Sequence, residues 1–177
     1  MAIAPVRMEF RLALSDVGRR VDRRDTVVLG RHPSETMQHV ILRMLSWCLL
    51  WEDGLVFGEG VCNPEAADLW VPTGDRARLW IDCGARWEHL RKAIRANAGA
   101  RAHAVFSDLR RRDELLAEIA HGPKEAAALT VWTLDRQLVD GLATREAHRQ
   151  KWNVTIVDGH CYVEADGVTF DGPCEHG

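Results

Sequence analysis

At 177 residues, with 46% apolar and 28% charged residues and a formal net charge of −3, the chain has the length and composition of one globular domain with a sizeable core. The slight acidity excludes a general electrostatic pull toward nucleic acid, and no apolar run approaches the roughly eighteen residues that a spanning helix needs. Pro5, Arg7, Glu9 and Arg11 interrupt the N-terminus, so no signal-peptide core is present and a cytoplasmic protein without membrane association is expected.

Val6, Met8, Phe10, Leu12 and Leu14 alternate with Arg7, Glu9, Arg11 and Ala13, which predicts a long half-buried strand. The polar segment 15–24 turns the chain into a second strand at 26–29, giving an opening hairpin. Met37, Val40, Ile41, Met44, Leu45, Cys48 and Leu49 then recur at helical spacing. Pro33 and Ser34 mark the start of that helix and Gly54 its end, which places Glu35 in the first turn, where the helix dipole favours a carboxylate. Arg43 flanks the apolar stripe. Residues 55–67, with their glycines, Cys62, Pro64 and Glu65, read as a loop.

Residues 68–84 form the most informative stretch: two short strands joined by a polar turn, with Asp68 and Asp82 near their outer ends. A three-residue Gly74-Asp75-Arg76 loop puts Asp68 opposite Asp82 and Trp70 opposite Trp80, and leaves Leu69, Val71, Leu79 and Ile81 on the other face. A two-residue Gly74-Asp75 turn has better local chemistry but mixes polar with apolar residues, so the longer loop is preferred. Facing carboxylates lie about 4.5–5.5 Å apart at Cβ and repel, unless a divalent cation, an arginine or lysine, or a shared proton offsets them. Two solvated aspartates at a sheet end are the plain alternative.

Downstream, Trp87, Leu90, Ile94 and Ala98 predict a helix closed by Gly99. A strand at 103–107, a charged helix at 108–120, a strand at 129–134 and a helix from Asp135 to about His148 follow. This alternation is the pattern of parallel crossovers. Asp158-Gly159 and Asp166-Gly167 divide 153–170 into a terminal meander. The expectation is a single α/β domain spanning 1–177, a mixed sheet flanked by helices.

Five cysteines, Cys48, Cys62, Cys83, Cys161 and Cys174, scattered without a Cys-x-x-Cys pair, predict reduced thiols rather than a disulfide framework. His160-Cys161 with Cys174-Glu175-His176 only superficially resembles a zinc set, because its spacing matches no standard module and its second half reads as a frayed tail. The clusters Arg19, Arg20, Arg23, Arg24 and Arg110 to Arg112 read as solvated turns and helix faces. Phosphate-loop, dinucleotide-binding and nucleophile-elbow motifs are absent, and Cys83 is the one plausible thiol nucleophile. The constellation that remains is Asp68, Asp82 and Glu35 with a basic residue among Arg86, Arg91, Lys92 and Arg95. Converging carboxylates suit Mg²⁺ or Mn²⁺. Trp70 and Trp80 would stack bases if exposed, and otherwise form a cross-strand pair under a helix.

Arg31-His32-Pro33-Ser34-Glu35-Thr36, Arg43-Met44-Leu45, Leu55-Val56-Phe57 with Gly60-Val61-Cys62, Glu65 with Asp68-Leu69-Trp70, Leu79-Trp80-Ile81-Asp82 with Gly84, and Arg91-Lys92-Ala93 resemble the YaeQ family in order and spacing. The resemblance implies a compact variant of the PD-(D/E)XK nuclease fold with an Mg²⁺-dependent active site. It makes Asp68 and Asp82 the two acidic ligands, Glu35 the acidic residue from the N-terminal helix and Lys92 the basic member. The chain departs from the pattern at Ala67, where a proline would precede Asp68. It departs again at Gly84, which leaves the motif's lysine position empty, so that Lys92 must supply the cation from the following helix. The expected activity is metal-dependent phosphodiester hydrolysis on nucleic acid. A non-catalytic interaction module on the same fold and hydrolysis of a small phosphorylated metabolite are the alternatives.

Overall fold

The computed structural model describes residues 4–59, 63 and 65–177; Gly60, Val61, Cys62 and Pro64, all named above, lie outside them. The described elements are β1 (Val6–Asp16), β2 (Val21–Arg31), α1 (Met37–Leu49), β3 (Val56–Phe57), β4 (Leu69–Thr73), β5 (Arg76–Cys83), α2 (Trp87–Ala96), β6 (Arg101–Phe106), α3 (Leu109–Ile119), a 3₁₀ turn (Lys124–Ala128), β7 (Leu129–Leu134), α4 (Arg136–Ala143), β8 (Arg149–Val157), β9 (His160–Ala165) and β10 (Val168–His176). They assemble a single-domain α/β fold around one ten-stranded mixed sheet, in the order β2-β1-β8-β9-β10-β7-β6-β5-β4-β3. β5, β6 and β7 run parallel, as do β1 and β8.

α1 organises this sheet. Eleven of its thirteen residues are buried, so it is apolar on nearly every side and needs cover all round. The sheet supplies that cover by curling: residues of β1, β2, β4, β5, β8 and β9 join α1 and α4 in one core. α2 and α3 cover the opposite face of β5, β6 and β7 through a second cluster of Trp87, Leu90, Ala104, Phe106, Leu115 and Val131. Covered on both faces, β6 is buried from Ala104 to Phe106 without alternation, as parallel strands commonly are.

Several boundaries differ from the sequence expectation for identifiable reasons. β2 spans eleven residues rather than four. Its inner face carries Arg23, whose guanidinium lies 4.0 Å over the Trp51 ring, so strand alternation continues in polar residues that hydrophobicity does not mark. α1 starts at Met37, because the Thr36 side chain accepts from the His39 N–H (3.2 Å) as its N-cap. Glu35 therefore precedes the helix instead of lying in its first turn. Arg19, expected in solvent, pairs with the buried Asp16 at 2.6 Å and donates to Cys48 O (3.0 Å) and Trp51 O (2.9 Å), closing the C-terminal end of α1.

α4 stops at Ala143 rather than near His148. The Thr144 hydroxyl bonds Gly141 O (2.7 Å), and the buried Gln150 takes the carbonyls of Arg145 (2.8 Å) and Ala147 (3.0 Å), drawing the chain into β8. The two terminal turns hold Asp158 and Gly159 at φ 49° and 72°, and Asp166 and Gly167 at φ 47° and 84°. Paired positive φ values are what two-residue hairpin turns of type I′ demand. The C-terminal stretch is not frayed, since Cys174 to His176 pair with β7. That pairing disperses the superficial zinc set: Cys161 and Cys174 are buried, His160 bonds Asp171 (2.8 Å), and His176 stacks on Trp132 with centroids 4.4 Å apart. All four described cysteines are free and buried. Among the described residues, no helix is long and apolar enough to cross a membrane.

The two ends of the sheet, β2 and β3, face each other across a groove of about 510 Å³ lined by Arg23 to Val28 excepting Arg24 on one side, Val56 and Phe57 on the other, and Trp47 and Trp51 between. Trp152 marks the centre of the other half. It is fully buried, edge-on to Phe10 at 5.1 Å, with its indole N–H on Gln150 Oε1 (2.9 Å). Trp152→Ala is expected to lower the unfolding free energy by about 3–5 kcal/mol in urea titrations, whereas Val168→Ala on the surface changes it by less than about 0.5 kcal/mol.

Candidate functional site

The central hairpin reconciles the two turn expectations. Thr73 pairs with Arg76, so the loop is the two-residue Gly74-Asp75 turn, with Gly74 at φ 62°, and not the longer loop preferred from sequence. A bulge between Val71 and Pro72 then shifts the register. Val71 pairs with Leu79, Trp70 with Trp80 and Leu69 with Ile81, which segregates the apolar face as the longer loop would. Beyond Leu69 the ladder ends, with Asp68 N–H donating to Ile81 O (3.1 Å).

Asp68 and Asp82 both line an open cleft of about 550 Å³ beside the C-terminal end of β5, walled by His39, Cys83, Gly84, Arg86, His89, Lys92 and Arg111 among others. This is where α/β sheets place ligands. Both carboxylates are largely buried, at 9% and 3% exposure. Asp68 Oδ2 accepts the Cys83 N–H at 2.8 Å, and its Oδ1 lies 3.2 Å from His39 Nε2 and 3.6 Å from Arg43 Nε. Asp82 Oδ2 accepts the Trp80 indole N–H at 2.7 Å and lies 3.2 Å from His89 Nε2. Each carboxylate thus has its own imidazole.

The electrostatics follow this geometry. Burial pushes Asp68 up to about 7 against the Cys83 N–H bond, and the charge of Asp82 adds to the rise. The hydrogen bond to Asp82 raises His89, while burial lowers His39 despite the pull of Glu35. Burial also holds the Cys83 thiol well above its usual range, with the charge of Asp68 adding to the effect, so Cys83 is not an activated nucleophile.

The other sequence candidates sit less centrally. Glu35 is 3% exposed and bonds Arg43 Nη1 at 3.1 Å. It lines a smaller adjoining hollow of about 390 Å³ that shares His39, Cys83, Gly84 and Arg111 with the main cleft. Lys92 borders the cleft, but its side chain is 62% exposed and pairs with Glu88 at 3.3 Å. At Gly84 φ is 73°, and a Cβ would come within 3.2 Å of Arg111 Nη1. At the lysine position of the resemblance a side chain would therefore be strained by the backbone and would press on Arg111. The cation beside it is Arg111 of α3, whose Nη2 donates to Gly84 O at 2.6 Å. Trp80 is half-buried, bonded to Asp82 and tilted against His89 on α2 at 6.2 Å, so this indole supports two residues of the cleft wall.

Three residues that sequence reasoning passed over, His39, His89 and Arg111, thus complete the wall. Glu35, His39 and Arg43 recur every four positions, a helical spacing that would have aligned all three. His89 and Arg111 reach the cleft only through crossover packing, which leaves no local sequence signal.

The model of the YaeQ protein family matches residues 1–172. The chain is 27% identical over 143 residues to the "Uncharacterized protein YaeQ" of Escherichia coli (strain K12), covering 80% of this chain and 78% of that protein. It is 29% identical over 140 residues to the protein of the same description from Salmonella typhi, covering 77% and 76%. The crystal structure of the YaeQ protein from Xanthomonas axonopodis pv. citri superposes with a TM-score of 0.88 at 25% identity, covering 97% of both chains. That of the Pseudomonas syringae protein gives 0.85 at 22% identity, covering 97% of this chain and 95% of that one.

The carboxyl of Asp68 holds its proton in the folded state up to about 7, whereas the unfolded chain releases it near the ordinary aspartate value of about 4. Within that window the folded state binds more protons, so this group makes stability fall as pH rises. Asp68→Asn is expected to flatten that fall in chemical denaturation between about pH 4 and pH 7. Arg43→Met, which strands the buried Glu35, is expected to cost about 3–5 kcal/mol in the same measurement.

Proposed function

The chain belongs to the YaeQ protein family, and for this member we propose a divalent-metal-dependent hydrolase of phosphodiester bonds, built on a variant of the PD-(D/E)XK nuclease core and acting on nucleic acid. The observation that carries the reading is that Asp68 and Asp82 both line one open cleft, together with Arg86, Lys92 and Arg111. Carboxylates with guanidinium or ammonium groups form a donor set suited to a metal ion and an anionic substrate together.

The residues fit such an ion. Asp68, raised to about 7 by burial and further by Asp82, is a carboxyl whose neighbour Arg43, 3.6 Å from Oδ1, offsets those effects only in part. Asp68 and Asp82 would hold the cation, and when bound it lowers the pKa of a water and stabilises charge on phosphate. Glu35 acts from behind, fixing Arg43 and His39 through contacts of 3.1 and 3.4 Å. His89, against Asp82, is placed to hold or pass a proton at its imidazole. Arg111, fixed on Gly84 O, and Lys92 at the rim neutralise phosphate oxygens.

The engagement of Glu35 with Arg43 and of Lys92 with Glu88 favours a second reading, a non-catalytic interaction module that keeps the fold. The two separate experimentally. Wild type is expected to bind Mg²⁺ or Mn²⁺ in calorimetry and to cleave single- or double-stranded DNA or RNA. Asp82→Asn is expected to lose at least about 100-fold in cleavage rate. Metal binding unchanged in both Asp68→Asn and Asp82→Asn would remove the hydrolase reading, and metal binding without cleavage of any polymer would select the interaction module.

A further inference from the structure

Three donors of different chemical softness meet on the α1 side of the cleft. The nitrogen of His39, a carboxylate oxygen of Asp68 and the Cys83 sulfur all lie within 4.8 Å of one another. They come from three separate parts of the chain: α1, the residue before β4, and the end of β5. Two polar atoms there are incompletely satisfied. Among the described residues, His39 Nε2 is buried without a hydrogen-bond partner, although Asp68 Oδ1 lies only 3.2 Å away. Asp68 Oδ1 has that imidazole and the Arg43 Nε at 3.6 Å, the latter also lacking a hydrogen bond.

The 3.2 Å between His39 Nε2 and Asp68 Oδ1 is close to what one metal ion would impose, and the Cys83 sulfur, within 4.8 Å of both, has only a short way to move to join them. Nitrogen and oxygen ligands about 2.1 Å from a tetrahedral ion lie about 3.4 Å apart, and a sulfur ligand at about 2.3 Å stands slightly farther off. The far side of the imidazole is also arranged for coordination. His39 Nδ1 lies 3.4 Å from Glu35 Oε1, the carboxylate–histidine contact that fixes ring orientation and tautomer behind a metal-bound nitrogen. Asp68 is anchored through its other oxygen by the Cys83 N–H at 2.8 Å. Glu35, Asp68 and a Cys83 thiolate, set against Arg43, leave two negative charges for a dication to neutralise.

We propose that His39, Asp68 and Cys83 form a three-ligand site for a divalent transition metal of the Zn²⁺ class, with its open coordination position facing the cleft. This rests on the reading of the cleft as a metal-dependent site and changes the identity of its ion. A nitrogen, a carboxylate and a thiol suit Zn²⁺ or Co²⁺ far better than Mg²⁺, which takes oxygen ligands in octahedral geometry. All three residues line the cleft, and three protein ligands with one free position is the pattern of catalytic rather than structural zinc. Coordination displaces the Cys83 proton to solvent and leaves a thiolate. Asp82, bonded to Trp80 and His89, remains beside the ion to orient a ligand water.

The test is a titration of the purified full chain with Co²⁺ as the probe. A sulfur-to-cobalt charge-transfer band in the near ultraviolet is expected, displaced by Zn²⁺, absent in Cys83→Ser and retained in Cys48→Ser. His39→Gln, at a partly exposed side chain, is expected to weaken Zn²⁺ binding by at least about 100-fold while the thermal transition of the metal-free protein stays put. Absence of the band, or its persistence in Cys83→Ser, would overturn the site. Mg²⁺-dependent cleavage that is lost in Asp82→Asn and untouched in Cys83→Ser would overturn it too, while leaving phosphodiester hydrolysis standing. A Cys83-dependent cobalt band without cleavage would do the reverse.

Discussion

Arg43 is the residue on which the two halves of the molecule converge. Only 1% of its side chain is exposed, and its guanidinium bonds Glu35 Oε1 at 3.1 Å, Gly30 O at 3.4 Å and Gly58 O at 3.1 Å, with the Phe57 ring 5.4 Å away. One side chain thus ties the end of β2, the approach to α1 and the exit from β3. The planar fork of arginine suits three acceptors from different directions, which a lysine cannot match. Gly58 is part of the same constraint, because a Cβ there would lie 1.9 Å from Ala67 O. The chain passes so close to itself that the carbonyl can reach inward to Arg43. A buried charge of this kind makes a weak case for net stability and a strong one for a fixed arrangement, because either partner left alone is costly.

That arrangement carries the cleft. Arg43 holds Glu35 on one side and lies 3.6 Å from Asp68 on the other, and His39, one helical turn away, touches both carboxylates. The acidic residue assigned to the N-terminal helix by resemblance is therefore a support behind the cleft wall. The residue before β4 contributes Asp68, β5 contributes Asp82, and the crossover helices contribute His89 and Arg111. Chemistry and architecture meet at the end of β5, where Gly84 turns with φ 73° and lets Arg111 lie across it.

Much of the fold was legible because it rests on local rules. The limits of β7, the aspartate caps of α3 and α4 and both terminal Asp-Gly turns follow directly from residue types at fixed offsets. The central hairpin was half legible: turn chemistry favoured two residues and face segregation favoured three. The bulge between Val71 and Pro72 satisfies both, a solution that neither rule alone contains. What stayed hidden depended on tertiary partners. Arg19 reads as a turn residue until the end of α1 is placed beside it, and Arg111 reads as a solvated helix face until Gly84 is seen beneath it. The end of α4 was missed because Gln150, seven residues beyond Ala143, draws off the carbonyls that a longer helix would have used.

The groove between β2 and β3 bears on how the protein behaves in a crowded solution. Among the described residues the ten-stranded sheet has two unpaired borders, and such borders recruit strands from other molecules. Here one border is only two residues long, and the other carries Asp22, Arg23, Arg24 and Asp25 in succession. Arg23 is held over Trp51 and lies 4.0 Å from Asp53, so an incoming strand would have to approach a paired charge. A sheet that stops just short of closure thereby gains much of the protection of a closed barrel against strand-by-strand polymerisation.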